Sequence, residues 1–273
     1  MHIVAFVTQK GGAGKSTLAS NLAVAAHLAG ERVFICDLDP LQSLVKWSRL
    51  RQQIDIPVEH IPLEKLAPAL DALRGNGVTA VVIDTPGAHS EASTQAIRAA
   101  DLCIVPARPN ALDLWASEET VARIKAARKD YAFLLNQCPP ARQGGRIARG
   151  ARALEDIGAL LSPMVSTRVD YQEAVLLGLG VCELKPAGAA AQEMTALWAA
   201  VSARLGEIDR QRLAARAQSN PALASYRDLV DQAARMGGVY ADFFKAFLPA
   251  GGPDRGRAAA EDEDEERRRR RPS

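Results

Sequence analysis

Apolar residues along this 273-residue chain occur in short continuous runs, and between the runs they recur every three or four positions. The runs predict buried strands over residues 2–7, 33–36, 80–83, 102–105 and 132–135, with a further strand near 164–166. The periodic stretches predict a helix directly after residue 17 and helices over residues 64–74, 90–99, 113–128, 146–160 and 189–205. This alternation indicates an α/β fold, a doubly wound and mostly parallel sheet with helices on both faces.

The first predicted strand leads directly into a glycine-rich segment, residues 10–17, with the sequence KGGAGKST. A loop whose backbone N–H groups close around phosphate oxygens needs minimal side chains. Four consecutive residues meet that need: Gly11, Gly12, Ala13 and Gly14. Lys15 stands where a lysine contacts the β and γ phosphates, the Ser16 hydroxyl can bind Mg²⁺, and Thr17 is placed for the α phosphate. Strand, loop and helix in this order predict a nucleoside triphosphate site.

The beginning of this loop departs from the usual G-x-x-x-x-G-K-[ST] pattern. Gln9 stands where that pattern has its first glycine, and an additional lysine, Lys10, follows it. The chain therefore carries a variant phosphate loop, and Lys10 is its most informative residue.

Carboxylates follow two of the predicted strands. Asp37 and Asp39 come after the second strand, and Asp84 comes directly after the third. Because a doubly wound sheet binds ligands beyond the carboxyl ends of its strands, we expect these acids to lie near the phosphates, where they can support Mg²⁺. The alternative is that each acid caps the helix that follows it. Three such acids together with a phosphate loop favour the role at the metal.

Composition argues against several other classes of function. The four cysteines include no C-x-x-C pair and the four histidines have no paired spacing, so we expect neither disulfides nor a transition-metal site. No apolar run is long enough to span a membrane, and we expect a cytoplasmic protein. The formal net charge of +2 does not by itself indicate a nucleic-acid-binding protein.

Together these motifs resemble the ParA/MinD family of deviant-Walker P-loop ATPases, and within it the short ParA-type partition ATPases. The resemblance rests on residues 10–17, 37–40, 84–87 and 105–115, and it covers approximately residues 1–206. It implies a P-loop NTPase fold, ATP and Mg²⁺ as cofactors, and a homodimer that forms when ATP binds. Such enzymes are typically slow without a partner.

The resemblance also implies three catalytic residues. Lys10 would be the signature lysine, which reaches across a nucleotide-sandwich dimer to the phosphates bound by the other subunit. Lys15 would hold the phosphates within its own subunit. Asp39 would orient the attacking water for in-line displacement at the γ phosphate.

For the metal and the base, the resemblance implies a further set of residues. Ser16 would bind the magnesium ion, with Asp37 and Asp84 supporting it through its water shell. Asn136, directly after the strand at 132–135, resembles the family's adenine-side asparagine, although a polar residue there is also a common turn former. One departure is Leu41, where the family often has glutamine directly after the Asp-Pro pair, and we assign no catalytic part to the glutamine that follows it.

Sequence-independent DNA binding by the ATP-bound dimer is a further implication of the resemblance. The candidates are Arg142, Arg146 and Arg149, spaced for one helix face, and Arg168, which stands where the family's DNA-contacting arginine is expected. The alternative is a solvated helix face. Longer partition ATPases have a helix-turn-helix region before the phosphate loop, which is not found here before residue 10, so we expect operator recognition to reside elsewhere.

The alternative within the family is a MinD-like membrane-associated positioning ATPase. An aromatic stripe at helical spacing supports it: Tyr240, Phe243, Phe244, Phe247 and Leu248. Membrane-binding helices usually carry several basic residues beside such a stripe, and here only Lys245 is present. We therefore expect the stripe to pack on the core or on a partner protein. A metabolic or metal-trafficking enzyme on the same fold would need a substrate pocket or paired cysteines, which the sequence does not indicate.

The chain is predicted to have three regions: an ATPase domain over residues 1–206, a helical C-terminal extension over 207–248 and a disordered tail over 249–273. In the tail, six acids precede five arginines without large apolar residues. The predicted function is a Mg²⁺-dependent ATPase that associates with the nucleoid by nonspecific DNA binding. It would position a plasmid, chromosome or protein cargo, and a ParB-like protein or cargo adaptor would stimulate its hydrolysis.

Overall fold

The computed structural model describes residues 1–139 and 144–219. Its strands are β1 (His2–Phe6), β2 (Val33–Asp37), β3 (Val58–His60), β4 (Ala80–Asp84), β5 (Leu102–Ala107) and β6 (Asp130–Leu135). In the described residues they form one sheet in the order β3-β2-β4-β1-β5-β6, and every pairing is parallel. The crossovers between non-adjacent strands place helices on both faces, which confirms the predicted fold class.

The helices join these strands in the expected alternation. They are α1 (Lys15–Leu28), α2 (Ser43–Leu50), α3 (Leu66–Gly75), α4 (Glu91–Ala99), α5 (Ala111–Ala126), α6 (Gly144–Glu155), α7 (Asp170–Leu176), α8 (Val181–Leu184) and α9 (Ala189–Ser219). A short 3₁₀ turn, Leu63–Lys65, precedes α3.

Two apolar layers cover the sheet because successive side chains of a strand point to opposite faces. On β1, Val4 and Phe6 belong to the layer formed with α1 and α9, whereas Ile3 and Ala5 belong to the layer formed with α3, α4, α5 and α6. All four side chains are buried. Burial on both faces explains why the central strands are continuous apolar runs in the sequence.

The strand predicted near residues 164–166 is wrong. Ser166 makes an isolated parallel bridge with Cys138, and Leu160 makes another with Phe133, but no ladder joins the two. Pro163 lies between the bridges and has no N–H to donate, so the pairing with β6 is interrupted there.

Several short elements were not predicted. β3 is a three-residue edge strand whose Glu59 and His60 are exposed, so it contains no apolar run. α2, α7 and α8 have eight, seven and four residues, which is too short for helical periodicity to be recognised. The longer predicted helices are present with shifted ends; the helix predicted over residues 146–160 is α6, which ends at Glu155.

Residues Met1–Asp209 form one compact unit, and a second unit begins at Arg210. The predicted domain boundaries at residues 206 and 248 stay predictions. The aromatic stripe at residues 240–248, most of the predicted extension and the whole charged tail lie outside the described residues. Within residues 1–139 and 144–219, no helix combines the length and apolar character that a membrane crossing requires.

Candidate nucleotide site

The phosphate loop connects β1 to α1 and depends on two glycines with left-handed backbone. Gly12 has a φ of 75° and Gly14 a φ of 87°, conformations that a residue with a Cβ adopts only at a cost. A Cβ on Gly14 would also clash with Nδ2 of Asn136, and a Cβ on Gly87 would lie 3.0 Å from the Cα of Gly11. The loop and the turn after β4 therefore pack too closely for larger residues at these positions.

Two side-chain amides after β6 hold the loop from its other side. Nδ2 of Asn136 donates to the carbonyl of Ala13 at 2.8 Å, and Nε2 of Gln137 donates to the carbonyl of Gly12 at 3.0 Å. Asn136 is buried. The family resemblance implied an adenine-side role for Asn136 but did not reveal this contact, and no role was predicted for Gln137. The adenine contact of Asn136 stays a prediction.

Ser16 and Asp84 meet where the loop faces the end of β4. The Ser16 hydroxyl donates to Oδ2 of Asp84 at 2.5 Å, while Oδ1 of Asp84 is buried and has no hydrogen-bond partner in the described part of the chain. Burial raises the pKa of the Asp84 carboxyl to about 7, although the bond from Ser16 acts in the opposite direction. The pKa of the Lys15 ammonium is lowered by burial, with Asp84 and Asp39 acting against that shift.

These groups fit a magnesium ion. Mg²⁺ binds hydroxyl and carboxylate oxygens, keeps several waters and is completed in such sites by phosphate oxygens of the nucleotide. Ser16 and Asp84 supply two neighbouring oxygens of this kind, and the unpartnered Oδ1 of Asp84 needs a cation or a donor. Among residues 1–139 and 144–219, no group of three or more His, Cys, Asp or Glu side chains could hold a metal alone.

Asp37 and Asp39 lie at the same edge of the sheet as Asp84, but the two side chains have different surroundings. Both carboxylate oxygens of Asp37 accept backbone N–H groups, Oδ1 from Asp39 at 3.1 Å and Oδ2 from Leu44 at 3.0 Å and Val45 at 3.3 Å. Asp37 thus caps the start of α2 from inside the protein, and its predicted place in the water shell of the metal stays a prediction. Asp39 is only half-buried, and its Oδ1 accepts the N–H of Leu41 at 2.9 Å.

Lys10 forms an ion pair with Asp113 of its own chain. Asp113 lies in the first turn of α5, and Arg108 binds its other oxygen through Nε at 2.6 Å. Burial alone raises the pKa of the Asp113 carboxyl, but hydrogen bonds from Arg108 and Lys10 outweigh burial and hold the pKa at about 2. Sequence reasoning gave Asp113 no role, although it lies in the segment 105–115 that carries the family resemblance.

A cavity of about 310 Å³ opens beside the start of α1, on the side of Thr17 and Asn136. Its other wall includes Ser166, Arg168 and Tyr171.

Arg168 is held in the wall of that cavity by Glu193. Its Nη2 lies 2.7 Å from Oε1 of Glu193, whose other donors include the hydroxyl of Ser166 at 2.8 Å. Contact of Arg168 with DNA stays a prediction. In the structure this arginine already pairs with the carboxylate of Glu193.

The remaining DNA-binding candidates lie on or before α6. Ile147 and Leu154 are buried against the sheet, which leaves Arg149 exposed on the outer face of the helix. Arg146 belongs to the same helix, but its side chain is not described, and Arg142 lies outside the described residues. Their role in DNA binding stays a prediction.

The chain is similar to known nucleotide-binding proteins. Residues 4–249 match the CobQ/CobB/MinD/ParA nucleotide binding domain. The maintenance of carboxysome distribution protein A of Gloeobacter kilaueensis is 32% identical over 220 residues, which span 78% of this chain and 92% of that protein. The protein of the same name from Halothiobacillus neapolitanus is 29% identical over 199 residues, 70% of this chain and 91% of its own length.

A solved structure shows the same fold at lower identity. The septum site-determining protein MinD of Pyrococcus horikoshii, solved as a complex with Mg-ADP, aligns with 76% of this chain and 98% of its own, with a TM-score of 0.59 and 21% identity. Together with the match over residues 4–249, the parallel sheet and the phosphate loop at its edge lead to one conclusion. The chain belongs to the CobQ/CobB/MinD/ParA family of nucleotide-binding domains.

Proposed function

We propose that this protein is a Mg²⁺-dependent ATPase that positions a cargo by cycling between a monomer and an ATP-bound dimer on DNA. The observation that carries the proposal is the meeting of Ser16 and Asp84 at 2.5 Å behind a phosphate loop that also presents Lys15 and Lys10. Family membership and the Mg-ADP bound to the related MinD support the choice of nucleotide and metal.

Hydrolysis follows from the charges at this edge of the sheet. Lys15 binds the β and γ phosphates and neutralises the charge that develops on the leaving group. Asp39, the most accessible of the three acids, orients a water for in-line attack on the γ phosphate, which releases ADP and phosphate. Ser16 would hold Mg²⁺, with Asp84 supporting the ion through its water shell, and the ion would supply positive charge that neutralises the phosphates.

In the proposed dimer, Lys10 acts on the nucleotide of the other subunit. With two chains facing each other across two ATP molecules, Lys10 of each chain contacts the phosphates bound by the other. Because that contact needs a triphosphate and a second subunit together, the dimer forms with ATP and dissociates after hydrolysis.

DNA is the proposed surface on which the dimer assembles. The exposed face of α6 presents Arg149 and Arg152, and the one acidic residue within this helix is Glu155 at its end. Contacts of arginine with phosphates give affinity without sequence preference, which suits a protein that associates with the whole nucleoid.

For the cargo, we propose a large protein assembly recognised through an adaptor that stimulates hydrolysis. Support comes from two relatives that are named for maintaining carboxysome distribution and match at least 70% of this chain. A plasmid or chromosome bound by a ParB-like protein is the alternative cargo.

A binding assay tests the choice of surface. The full chain is mixed with a DNA fragment of arbitrary sequence, and separately with anionic lipid vesicles, in ATP, ADP or no nucleotide, over a series of salt concentrations. The chain should bind DNA only with ATP, and that binding should weaken steeply as the salt concentration rises. Vesicle binding without DNA binding at low salt would contradict it and favour a membrane-associated ATPase.

A further inference from the structure

A cavity of about 590 Å³ opens where the C-terminal ends of α1 and α2 meet the turn between α7 and α8. The side chains that matter below are six of those that line it: His27, Leu28, Arg51, Asp55, Leu177 and Glu183. Both α1 and α2 begin at the edge of the sheet that holds the phosphate loop. Since α1 has 14 residues and is therefore about 20 Å long, the cavity lies at the opposite edge.

An ion-pair cluster around Arg51 forms part of the cavity wall. The Arg51 side chain is only 3% exposed, and Nη2 lies 2.8 Å from Oδ2 of Asp55 and 2.8 Å from Oε1 of Glu183. The guanidinium also lies over the Trp47 ring, 4.9 Å from its centroid, and Nη1 donates to the carbonyl of Gly178 at 3.0 Å. These contacts fix the guanidinium from several sides, so the wall is formed before any ligand binds.

The charges in this wall do not balance. One guanidinium faces two carboxylates, and both Asp55 and Glu183 remain partly exposed. The other titratable group of the lining is His27, whose Nε2 lies 3.6 Å from Oδ2 of Asp55 and which is charged only when protonated. With a neutral imidazole the lining therefore carries one excess negative charge, which favours a cationic group.

Exposed apolar side chains accompany the cavity. Leu28 and Leu177 line it and are 59% and 56% exposed. Three more exposed side chains are sequence neighbours of lining residues: Leu50, Ile54 and Leu176. These five are half of the ten large hydrophobic residues that are exposed within residues 1–139 and 144–219. Such a concentration of apolar surface beside a cavity marks a site of interaction.

The turn after α7 brings these leucines close to the end of α2. A Cβ on Gly178, which has a φ of 68°, would lie 2.5 Å from the backbone N of Arg51 and from the carbonyl carbon of Leu50. The two backbones therefore touch, and the leucines on either side of the contact belong to one surface.

Apolar surface combined with excess negative charge distinguishes between possible occupants. DNA phosphates and an anionic membrane surface would be repelled by Asp55 and Glu183. A symmetric contact with a second copy would bring two negatively charged cavities together. A peptide segment that combines apolar side chains with an arginine or lysine matches both features of the site.

We propose that this cavity and its leucines bind a short segment of a partner protein in which apolar side chains accompany an arginine or lysine. The apolar side chains contact Leu28 and Leu177, and the cationic group contacts Asp55 and Glu183. Because the site lies at the edge opposite the phosphate loop, the segment binds equally with ATP, with ADP and without nucleotide. Neither dimerisation nor DNA binding is required for this interaction.

Selection from a displayed library of random short peptides tests the proposal. The library is panned against the full chain and counter-selected against the double variant Leu28→Ser, Leu177→Ser. Selected peptides are synthesised with a fluorescent label, and anisotropy measures their affinity. They should be enriched in arginine or lysine together with leucine, isoleucine or phenylalanine. Their affinity should fall about tenfold or more in the double variant and should not depend on the nucleotide.

Leu41→Ser is the matched control. Leu41 is 68% exposed, follows Asp39 at the nucleotide edge of the sheet and does not line the cavity. This variant should bind the selected peptides as the parent does. Equal losses in Leu41→Ser and in the double variant would contradict the proposal. So would a selection that yields no peptide able to distinguish the parent from the double variant.

Glu183→Gln tests the charge without altering the leucines. Arg51 keeps its pairing with Asp55 in this variant. Affinity for the selected peptides should fall about threefold to tenfold and become less sensitive to salt. Replacing the cationic residue of a selected peptide by serine should have a similar effect in the parent. Enrichment of acidic peptides, or affinities that neither change alters, would overturn the proposal even if the double variant did not fold.

Two further measurements test the other occupants. Analytical ultracentrifugation without nucleotide compares the oligomeric state of the parent and the double variant, and flotation with phosphatidylglycerol-containing vesicles compares their membrane binding. Self-association or vesicle binding that the parent shows and the double variant loses would assign the surface to a second copy or to a membrane, and either result would overturn the proposal. Equal behaviour of the two proteins in both assays supports a segment of a partner protein.

Discussion

The Ser16 hydroxyl donates a 2.5 Å hydrogen bond to Oδ2 of Asp84, which lies 68 positions later in the sequence. The contact follows from the sheet: β1 and β4 pair in parallel with Phe6 opposite Asp84, so the residues after each strand meet at one edge. This edge places the Ser16 hydroxyl, the proposed protein ligand of the magnesium ion, beside the Asp84 carboxylate, which would support the ion through its water shell.

Ser16→Ala should remove the dependence of ATP affinity on Mg²⁺. Without the hydroxyl, one protein ligand of the ion is lost, and ATP binding in Mg²⁺ should weaken by about tenfold or more. Isothermal titration calorimetry with Mg²⁺ and with EDTA measures both affinities. Ser20→Ala is the control, because that hydroxyl lies one turn further along α1 and donates only to the carbonyl of Thr17. Equal losses in the two variants would contradict the assignment of Ser16.

The buried carboxyl of Asp84 should make the stability of the metal-free protein depend on pH. Its pKa is about 7 in the folded chain and 3.8 without burial, so the folded state holds the proton more tightly. The protonated Asp84 carboxyl therefore stabilises the folded state below about pH 4, and this stabilisation is lost as pH rises through 7. A shift of three pKa units corresponds to at most about 4 kcal/mol.

Asp84→Asn should remove this loss of folding stability at higher pH. In EDTA, the unfolding temperature of the variant relative to the parent should increase between about pH 5 and pH 8, because only the parent must bury a charge. Thermal unfolding followed by circular dichroism measures the difference. A difference that is constant with pH would show that the parent carboxyl does not titrate in this range.

Gly14→Ala should destabilise the protein more than Gly30→Ala. Both glycines have left-handed backbone, with φ of 87° and 97°, so both substitutions incur strain of about 1–2 kcal/mol. A Cβ on Gly30 meets open space, whereas one on Gly14 meets Asn136. Chemical denaturation measures the two free energies of unfolding, and ATP binding should be lost only in Gly14→Ala. Equal destabilisation by the two substitutions would mean that the Asn136 side chain moves away from the new Cβ at no cost in free energy.

Arg149→Ala should weaken binding to DNA of any sequence by the same factor. Loss of one phosphate contact should lower affinity roughly threefold to tenfold and reduce the slope of log affinity against log salt by about one. Arg98→Ala is the control, because Arg98 is an exposed arginine in the last turn of α4. Fluorescence anisotropy with ATP measures both. Equal effects would show that only net charge matters and that α6 is not the interface.

The sequence predicted the central part of this site because its motifs follow strands of one parallel sheet. Lys15, Ser16 and Asp84 needed only the order of strands and turns to be brought together, and residue spacing carries that information. It could not reveal contacts that depend on side-chain direction. Asp37 is bound to the backbone at the start of α2, and Asn136 is bound to the carbonyl of Ala13.

Long-range ion pairs were equally hidden. Lys10 was recognised from its place in the loop, but its partner Asp113 is an ordinary acid in the first turn of a helix, where acids are common for reasons of capping. Arg168 was assigned to DNA from its position in the sequence, and its pairing with Glu193 on α9 depends on how that helix packs. Such contacts become visible only when the helices are placed on the sheet.

Action of Lys10 on ATP bound by another subunit can be tested by trans-complementation between two inactive variants. Lys10→Ala and Asp39→Ala should each be inactive alone. In an equal mixture, the Lys10→Ala subunit retains Asp39 and receives Lys10 from its partner, so one complete site forms in each mixed dimer.

The measurement is phosphate release by the mixture, with ATP, Mg²⁺ and DNA present, at the total protein concentration used for the wild-type chain. Turnover should be about a quarter of the wild-type value, because half of randomly paired dimers are mixed and each mixed dimer has one complete site of two. A mixture as inactive as its two components would contradict the claim and show that Lys10 acts only within its own chain.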